Sequence, residues 1–323
     1  MPLLDVDQLT IAYHTRSGPV TAVDNVSFQL EKGRFLGIVG ESGCGKTTIG
    51  MSLLGLLPEN GFIRSGRILF EGTDLLKLSK KELQAIRWKK ISMIFQAAMN
   101  ALNPVQRVGD QIIEAIRIHN PAFSNEKILQ DVKQLYDLVD IPEERMFDYP
   151  HQYSGGMKQR AIIAMALSCR PDLVIADEPT TALDVIVQDQ IIRKIKDIQE
   201  KMGIAGIFIS HDIGVVAEAC HDIMVMYRGK IVEYGKREEV FVSPAHPYTL
   251  ALLSSHLTID GVFDFHGDEA GTVCDFSPAV SPAICIYSDN CRRAEAACFA
   301  EAPKWREITP THKALCRLCG KND

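Results

Sequence analysis

Gly40-Glu-Ser-Gly-Cys-Gly-Lys-Thr-Thr48 follows the short apolar run Phe35–Val39, a buried strand by its composition, and opens Thr47–Leu57, which reads as a helix stopped by Pro58. The stretch fits G-x-x-x-x-G-K-[ST] in the strand–loop–helix setting that gives the motif its meaning. Glycines let the backbone wrap so closely that successive N–H groups point at phosphate oxygens. The following helix adds its unpaired N-terminal donors and the positive end of its dipole. Gly40, Ser42, Gly43, Cys44, Gly45, Lys46, Thr47 and Thr48 are therefore the expected nucleotide-binding residues. Lys46 is expected to reach the β- and γ-phosphates, and Thr47 to place its hydroxyl on Mg²⁺. A glycine-rich turn with no ligand is the plain alternative, and the strand before and helix after disfavour it.

Leu173-Val-Ile-Ala-Asp-Glu178 supplies the second half of such a site, an apolar strand ending in two acids. Asp177 is expected to hold Mg²⁺ through its water, and Glu178 to orient and polarise the attacking water. No second-substrate motif appears, so the expected reaction is hydrolysis of ATP rather than transfer to an organic acceptor. Leu3–Tyr13 and Val20–Leu30 alternate apolar and polar residues at period two, as half-buried strands do. Ile207–Ser210 is short, branched and apolar. Ile186–Met202 carries Val187, Ile191, Ile195, Ile198 and Met202 on one helical face. Residues 97–155 read as mostly helical between Pro104, Pro121, Pro142 and Pro150. Strands alternating with helices predict an α/β domain over residues 1–256 with a mostly parallel sheet.

The chain has 323 residues, with 46% hydrophobic and 24% charged residues, as a soluble globular protein with a sizeable core does. Its net charge of −6 offers no excess of positive charge for neutralising phosphates, so a nucleic-acid partner is not expected. No stretch approaches the roughly 18 to 20 apolar residues that cross a bilayer. Met-Pro-Leu-Leu-Asp-Val-Asp at the start lacks the basic and apolar regions of a secretory signal, which predicts a chain that stays in the cytoplasm. Cysteine is the oddity. Of nine, Cys274, Cys285, Cys291, Cys298, Cys316 and Cys319 fall in the tail, which from about Leu257 is irregular in pattern.

Tyr153-Ser-Gly-Gly-Met-Lys-Gln-Arg160 opens a predicted helix, Thr180-Thr-Ala-Leu-Asp184 follows the acid pair, Ile209-Ser-His-Asp212 ends a strand, and Gln96 closes Met93-Ile-Phe-Gln. With these the chain resembles the nucleotide-binding subunits of ATP-binding-cassette (ABC) transporters over residues 1–256. The resemblance implies a P-loop ABC ATPase domain: a mostly parallel core sheet, an antiparallel β subdomain and a helical signature subdomain at about 97–170. A cysteine-rich extension of residues 257–323 follows. It implies that Tyr13 stacks on adenine, and that Ser154, Gly155 and Gly156 close in trans over the γ-phosphate of a second subunit. It implies that Asp184 orders the dimer interface and that His211 contacts the γ-phosphate. Gln96 would join Thr47 and Asp177 around Mg²⁺ and link nucleotide state to the membrane subunits. The sequence departs from the family pattern at Tyr153, at Met157 and at Ala97-Ala98.

Ala98-Met-Asn-Ala-Leu-Asn-Pro104, Pro150-His-Gln-Tyr-Ser-Gly-Gly-Met157 and Ser243-Pro-Ala-His-Pro-Tyr-Thr249 resemble the dipeptide/oligopeptide permease subfamily, which includes nickel and oligosaccharide importers. Members often end in an extension holding a 4Fe-4S cluster, and Cys285-x5-Cys291-x6-Cys298-x17-Cys316 resembles its pattern. By spacing alone the cysteines are ambiguous. Structural zinc favours close pairs such as Cys316-Arg-Leu-Cys319, whereas widely spaced thiolates suit an iron–sulphur cubane. Zinc and free thiols stay as alternatives, with Cys274 and Cys319 as spares and His312 as a packing residue. Cys44, at a helix start, is either a low-pKa thiol or a small residue filling the loop. The expected protein is the ATPase subunit of a peptide importer at the cytoplasmic face of the cell membrane. Its partners would be two transmembrane permease subunits, a second homologous ATPase subunit (a paralogue or a copy) and, indirectly, an extracytoplasmic substrate-binding protein. A soluble non-transport ABC ATPase, and a module that binds ATP without hydrolysing it, are the competing classes.

Overall fold

The computed structural model describes residues 1–96, 101–181, 183–257 and 284–319. The N-terminal alternation folds as β1 (Leu4–Thr15) and β2 (Gly18–Leu30), an antiparallel pair running from Leu4↔Leu30 to Thr15↔Gly18. Leu4, Val6, Leu9 and Ile11 are buried; the spacing slips between Val6 and Leu9, where Gln8 takes φ +49° and both neighbouring ladders shift register. That bulge keeps the apolar side chains on one face after the phase change.

The expected strand Phe35–Val39 is β3, buried along its whole length, and it runs through the phosphate loop into α1 (Lys46–Leu53). The helix stops before the expected Leu57: the chain turns at Gly55, which takes φ +59°, ahead of Pro58. β4 (Gly61–Phe70) and β5 (Thr73–Asp74) complete a four-stranded sheet in the order β2-β1-β4-β5. α2 (Lys80–Ile86) is closed by a Ser79–Glu82 capping box.

β6 (Ile91–Ile94), β7 (Leu173–Asp177), β8 (Ala205–Ser210), β3 and β9 (Asp222–Tyr227) pair in parallel in the order β6-β7-β8-β3-β9. Leu36 and Ile38 face one apolar cluster with the β1–β2 side chains, and Phe35 and Val39 face the other. Both faces of the sheet are covered, which is why its strands read as apolar runs. The second face packs on α3 (Val108–His119), α4 (Asn125–Leu138) and α5 (Gly155–Leu167), with α6 (Val185–Met202) beside them. On α6 Ile191, Ile195 and Ile198 are buried, while Val187 and Met202 are half-buried at the ends of the stripe.

After α7 (Ile213–Ala219) come β9 and its antiparallel partner β10 (Lys230–Lys236), then α8 (Arg237–Val242) and α9 (Pro247–Leu257). The tail differs from its irregular reading. β11 (Arg306–Thr309) and β12 (His312–Ala314) extend the core sheet to eight strands by pairing Glu233↔Ala314 and Tyr234↔Lys313. In β12 His312 and Ala314 point inward and Lys313 is half-exposed, a stretch too short for its alternation to stand out.

Candidate functional site

The loop after β3 accepts only glycine at two of its positions. Gly40 has φ +151°, and a Cβ there would lie 2.1 Å from the Met226 carbonyl oxygen. Gly45 has φ +104°, and its Cβ would lie 2.4 Å from the Ala22 carbonyl oxygen. Both are backbone obstacles that no rotamer change relieves. Ser42 and Gly43 are exposed at the loop tip. Cys44 is buried, and burial pushes its thiol up rather than down, so it acts as the small filler. Lys46 is also buried; its Nζ donates to the carbonyls of Gly40 at 2.6 Å and Glu41 at 2.8 Å.

β7 delivers the two acids to the mouth of this loop. Asp177, 1% exposed, accepts from Thr47 Oγ1 at 3.1 Å, so the two oxygens expected to share Mg²⁺ stand side by side. Burial raises the Asp177 pKa, and the Thr47 hydrogen bond only partly opposes the rise. Glu178 takes φ +46° and anchors its N–H on the Ile209 carbonyl of β8 at 2.8 Å. Its Oε1 lies 3.0 Å from His211 Nδ1, while Oε2 accepts from Gln96 Nε2 at 2.8 Å and Thr181 Oγ1 at 3.0 Å. Burial alone would raise this carboxyl, but the hydrogen bonds from His211 and Thr181 outweigh it and hold Glu178 below the usual range. Tyr13, at the end of β1, hydrogen-bonds Thr48 through its hydroxyl at 3.0 Å.

The remaining expected residues lie apart from this constellation. Ser154 caps α5 by accepting from Met157 N at 3.2 Å, and Asp184 caps α6 by accepting from Val187 N at 2.9 Å. Ser154, Gly155, Gly156 and Asp184 line one hollow that no phosphate-loop residue enters. A face with two adjacent helix N-termini is suited to an anion brought from outside. The unusual Tyr153 is buried below it, with its hydroxyl on Tyr136 at 3.0 Å and on the Arg145 carbonyl at 2.7 Å.

Cys285, Cys291, Cys298 and Cys316 line a single cavity together with His246 and Tyr287. Burial raises the thiols of Cys285 and Cys291. The Cys316 thiol is instead drawn down, chiefly by its hydrogen bond with Cys319, whose Sγ also lies 3.2 Å from the Ala245 carbonyl oxygen. Among the described residues no three His, Cys, Asp or Glu side chains stand close enough to share one metal ion. Cys274 and Ala97-Ala98 lie outside the described residues. His312 is buried, and its Nε2 lies 2.7 Å from Glu233 Oε1. Two contacts were not anticipated. Thr181 sits inside the quoted Thr180–Asp184 motif, and Tyr248, within Ser243–Thr249, accepts from the phosphate-loop amide of Glu41 at 3.0 Å.

Comparison with known proteins matches residues 23–181 to the ABC transporter family and residues 232–298 to the oligopeptide/dipeptide transporter C-terminal region. The chain is 45% identical to the dipeptide transport ATP-binding protein DppD of Lactococcus lactis subsp. cremoris, over 97% of this chain and 89% of that protein. It is 44% identical to the oligopeptide transport ATP-binding protein OppD of Haemophilus influenzae, over 94% and 93%. Among solved structures, the dimeric ATP-binding cassette MJ0796 bound to ADP and Pi superposes with TM-score 0.65 at 26% identity, covering 72% of this chain and 98% of that one. No helix among the described residues is long and apolar enough to cross a membrane. A glycine-locked phosphate loop, a paired Thr47–Asp177, a braced Glu178 and relatives aligned over nearly their full length give one answer: the chain belongs to the ABC transporter family, among the dipeptide and oligopeptide transport ATP-binding proteins.

Proposed function

We propose that this chain is the ATP-hydrolysing subunit of an importer for dipeptides or oligopeptides. The observation that carries hydrolysis is the Glu178 carboxylate, braced by His211, Gln96 and Thr181 beside the Thr47–Asp177 pair. A carboxylate so placed can take a hydrogen bond from water and aim it along the line of attack. Lys46 exchanges its two carbonyl partners for the β- and γ-phosphates, and the loop amides and Thr48 hold the rest of the polyphosphate. Thr47, Asp177 and Gln96 would hold Mg²⁺, which supplies charge neutralisation between the phosphates. Tyr13 offers its ring to the adenine. Ser154, Gly155 and Gly156 act on nucleotide held by a second cassette, with Asp184 beside them at the interface, so two ATPs lie between two subunits.

The cargo reading is supported by peptide-transport relatives matched over about nine-tenths or more of both chains, and by the match of residues 232–298 to the oligopeptide/dipeptide transporter C-terminal region. The chain works on two transmembrane permease subunits from the cytoplasmic face, with a second ATPase subunit and, indirectly, an extracytoplasmic substrate-binding protein. Cys285, Cys291, Cys298 and Cys316 would hold a 4Fe-4S cluster. What supports this is that all four line one cavity.

The test is reconstitution of the chain with its permease and binding subunits in vesicles. ATP-driven uptake of a labelled dipeptide or oligopeptide supports the proposal. Uptake of nickel or an oligosaccharide instead replaces the cargo. Hydrolysis that continues unchanged in Glu178→Gln overturns the catalytic assignment.

A further inference from the structure

The phosphate loop is tied to the cysteine-bearing tail by a short chain of contacts. Glu41 N, in the loop, donates at 3.0 Å to the hydroxyl of Tyr248, which is 3% exposed at the start of α9. Burial raises the Tyr248 pKa, so the group stays a neutral hydroxyl. Its ring packs on Tyr227 at the end of β9, with centroids 4.6 Å apart, and on Tyr287 at 5.5 Å. Tyr287 meets Tyr227 edge-on at 5.2 Å and also lines the cavity of Cys285, Cys291, Cys298 and Cys316. Tyr248 cannot drift along its helix. Its N–H is bonded to His246 Nδ1 at 3.0 Å, and the Ala245 and His246 amides are held by the buried Glu233 carboxylate.

We propose that Tyr248 is a positioning residue for the phosphate loop and that Tyr287, carried by the cysteine segment, sets where Tyr248 stands. The tail thereby acts on nucleotide affinity without touching nucleotide. The Glu41 amide is the second of the loop, and its bond to Tyr248 fixes which way this part of the backbone faces. Aromatic rings in edge-on and tilted contact resist sliding, because their quadrupoles favour those geometries over displaced ones. A shift of Tyr287, from repacking of the cavity it lines, therefore reaches Glu41 through two steps of contact. The inference rests on the phosphate loop binding ATP, and not on which group fills the cysteine cavity.

The experiment measures Mg-ATP affinity of the full chain by calorimetry, and KM and kcat of the assembled transporter, for wild type, Tyr248→Phe and Tyr287→Leu. Tyr248→Phe keeps the ring and removes only the hydroxyl, so it retains the fold. It is expected to weaken ATP binding about three- to tenfold, the range of a single buried hydrogen bond, and to raise KM with kcat within about twofold. Tyr287→Leu is expected to raise KM in the same sense although it lies outside the nucleotide site. Wild-type affinity in both variants overturns the inference, as does a fall in kcat at constant KM. Failure of the wild-type chain to bind Mg-ATP overturns the phosphate-loop reading and the inference with it.

Discussion

His211 Nδ1 stands 3.0 Å from Glu178 Oε1, and Gln96 and Thr181 hold the opposite oxygen of the same carboxylate. The carboxylate is therefore held from three places: His211 directly follows β8, Gln96 lies two residues beyond β6, and Thr181 closes the turn after β7. Glu178→Gln keeps the shape and Gln96 and Thr181 within reach but removes the charge. It is expected to lower kcat of the assembled transporter by about 10²- to 10⁴-fold, the range of a general base, while leaving ATP affinity nearly unchanged. Single-turnover hydrolysis and nucleotide titration on one preparation check the two halves. A variant that still hydrolyses at the wild-type rate contradicts the role.

Asp177 and Glu178 are neighbours with opposite shifts, and the sign of each has a consequence. Asp177 is raised by burial, so its ionised form is disfavoured in the fold. The penalty is absent below the unfolded value near 3.8, grows as pH rises from there, and is complete above the folded value. Asp177→Asn keeps an oxygen for Thr47 and drops the charge. It is expected to raise the thermal midpoint of the nucleotide-free chain by about one to three degrees at pH 7, with no gain near pH 3, while Mg-dependent hydrolysis is lost. Glu178 is the reverse case. Its depressed pKa adds stability above the unfolded value near 4.5 that is lost as pH falls through the folded one. Thermal scans across pH check both signs; a lower midpoint for Asp177→Asn at pH 7 contradicts the first.

The phosphate loop, the acid pair, Gln96 and His211 are legible because each sits in a contiguous motif that closes a strand, and the carboxyl ends of these parallel strands lie side by side. The buried stripe of α6 was legible because 18 residues give its period room. What escaped depends on distance along the chain. Tyr248 and Glu41 are 207 positions apart, and His312 and Glu233 are 79 apart. Neither carries a local period or motif spacing that points to its partner. The stop of α1 was misread for a different reason: Pro58 is the stronger breaker, yet Gly55 reaches a left-handed turn three residues sooner.

Gly45→Ala places a Cβ against the Ala22 carbonyl in a backbone conformation that alanine resists. Either the loop or the Ala22 strand must move. The expected outcome is at least a tenfold loss of ATP affinity, with about 1–3 kcal/mol lost from the stability of the free chain. Nucleotide titration and urea unfolding read the two separately. Gly203→Ala, where no atom lies within 4 Å of the added carbon, is the control: it keeps ATP affinity and carries only the backbone penalty of its φ of +64°.

Glu233 is fully buried and accepts from Ala245 N and His246 N, both at 2.8 Å, besides its contact with His312. It is thus the point where β10, the Pro-Ala-His-Pro loop and β12 of the tail meet. Glu233→Ala strands two amides and an imidazole without partners and is expected to cost about 3–5 kcal/mol. Limited proteolysis should then release the tail at temperatures where the wild-type chain resists. A variant that unfolds at the wild-type urea midpoint would show that β12 is held by its strand pairing alone.

The cysteine cavity makes a prediction that separates its three possible contents. Cys285 and Cys291 flank one short 3₁₀ turn (Ser288–Asn290), Cys298 lies in a second (Ala296–Phe299) and Cys316 follows β12, and short turns of this kind bury little apolar surface of their own. A bound cluster would supply the missing cohesion, since metal–thiolate binding is also folding free energy for the segment it organises. Chain purified without oxygen is expected to be coloured and to hold about four irons and four acid-labile sulphides. Cys298→Ser should lose most of both, lower the thermal midpoint and expose the tail to protease. Cys274→Ser, at the cysteine left out of the ligand set, should lose neither iron nor sulphide. A colourless chain with one zinc would assign the site to a mononuclear ion, and one with no metal would leave four free thiols. Chelation then distinguishes a staple from a passenger: if removing the iron leaves protease resistance unchanged, the tail is held by the Glu233–His312 contact and the tyrosine rings rather than by its cysteines.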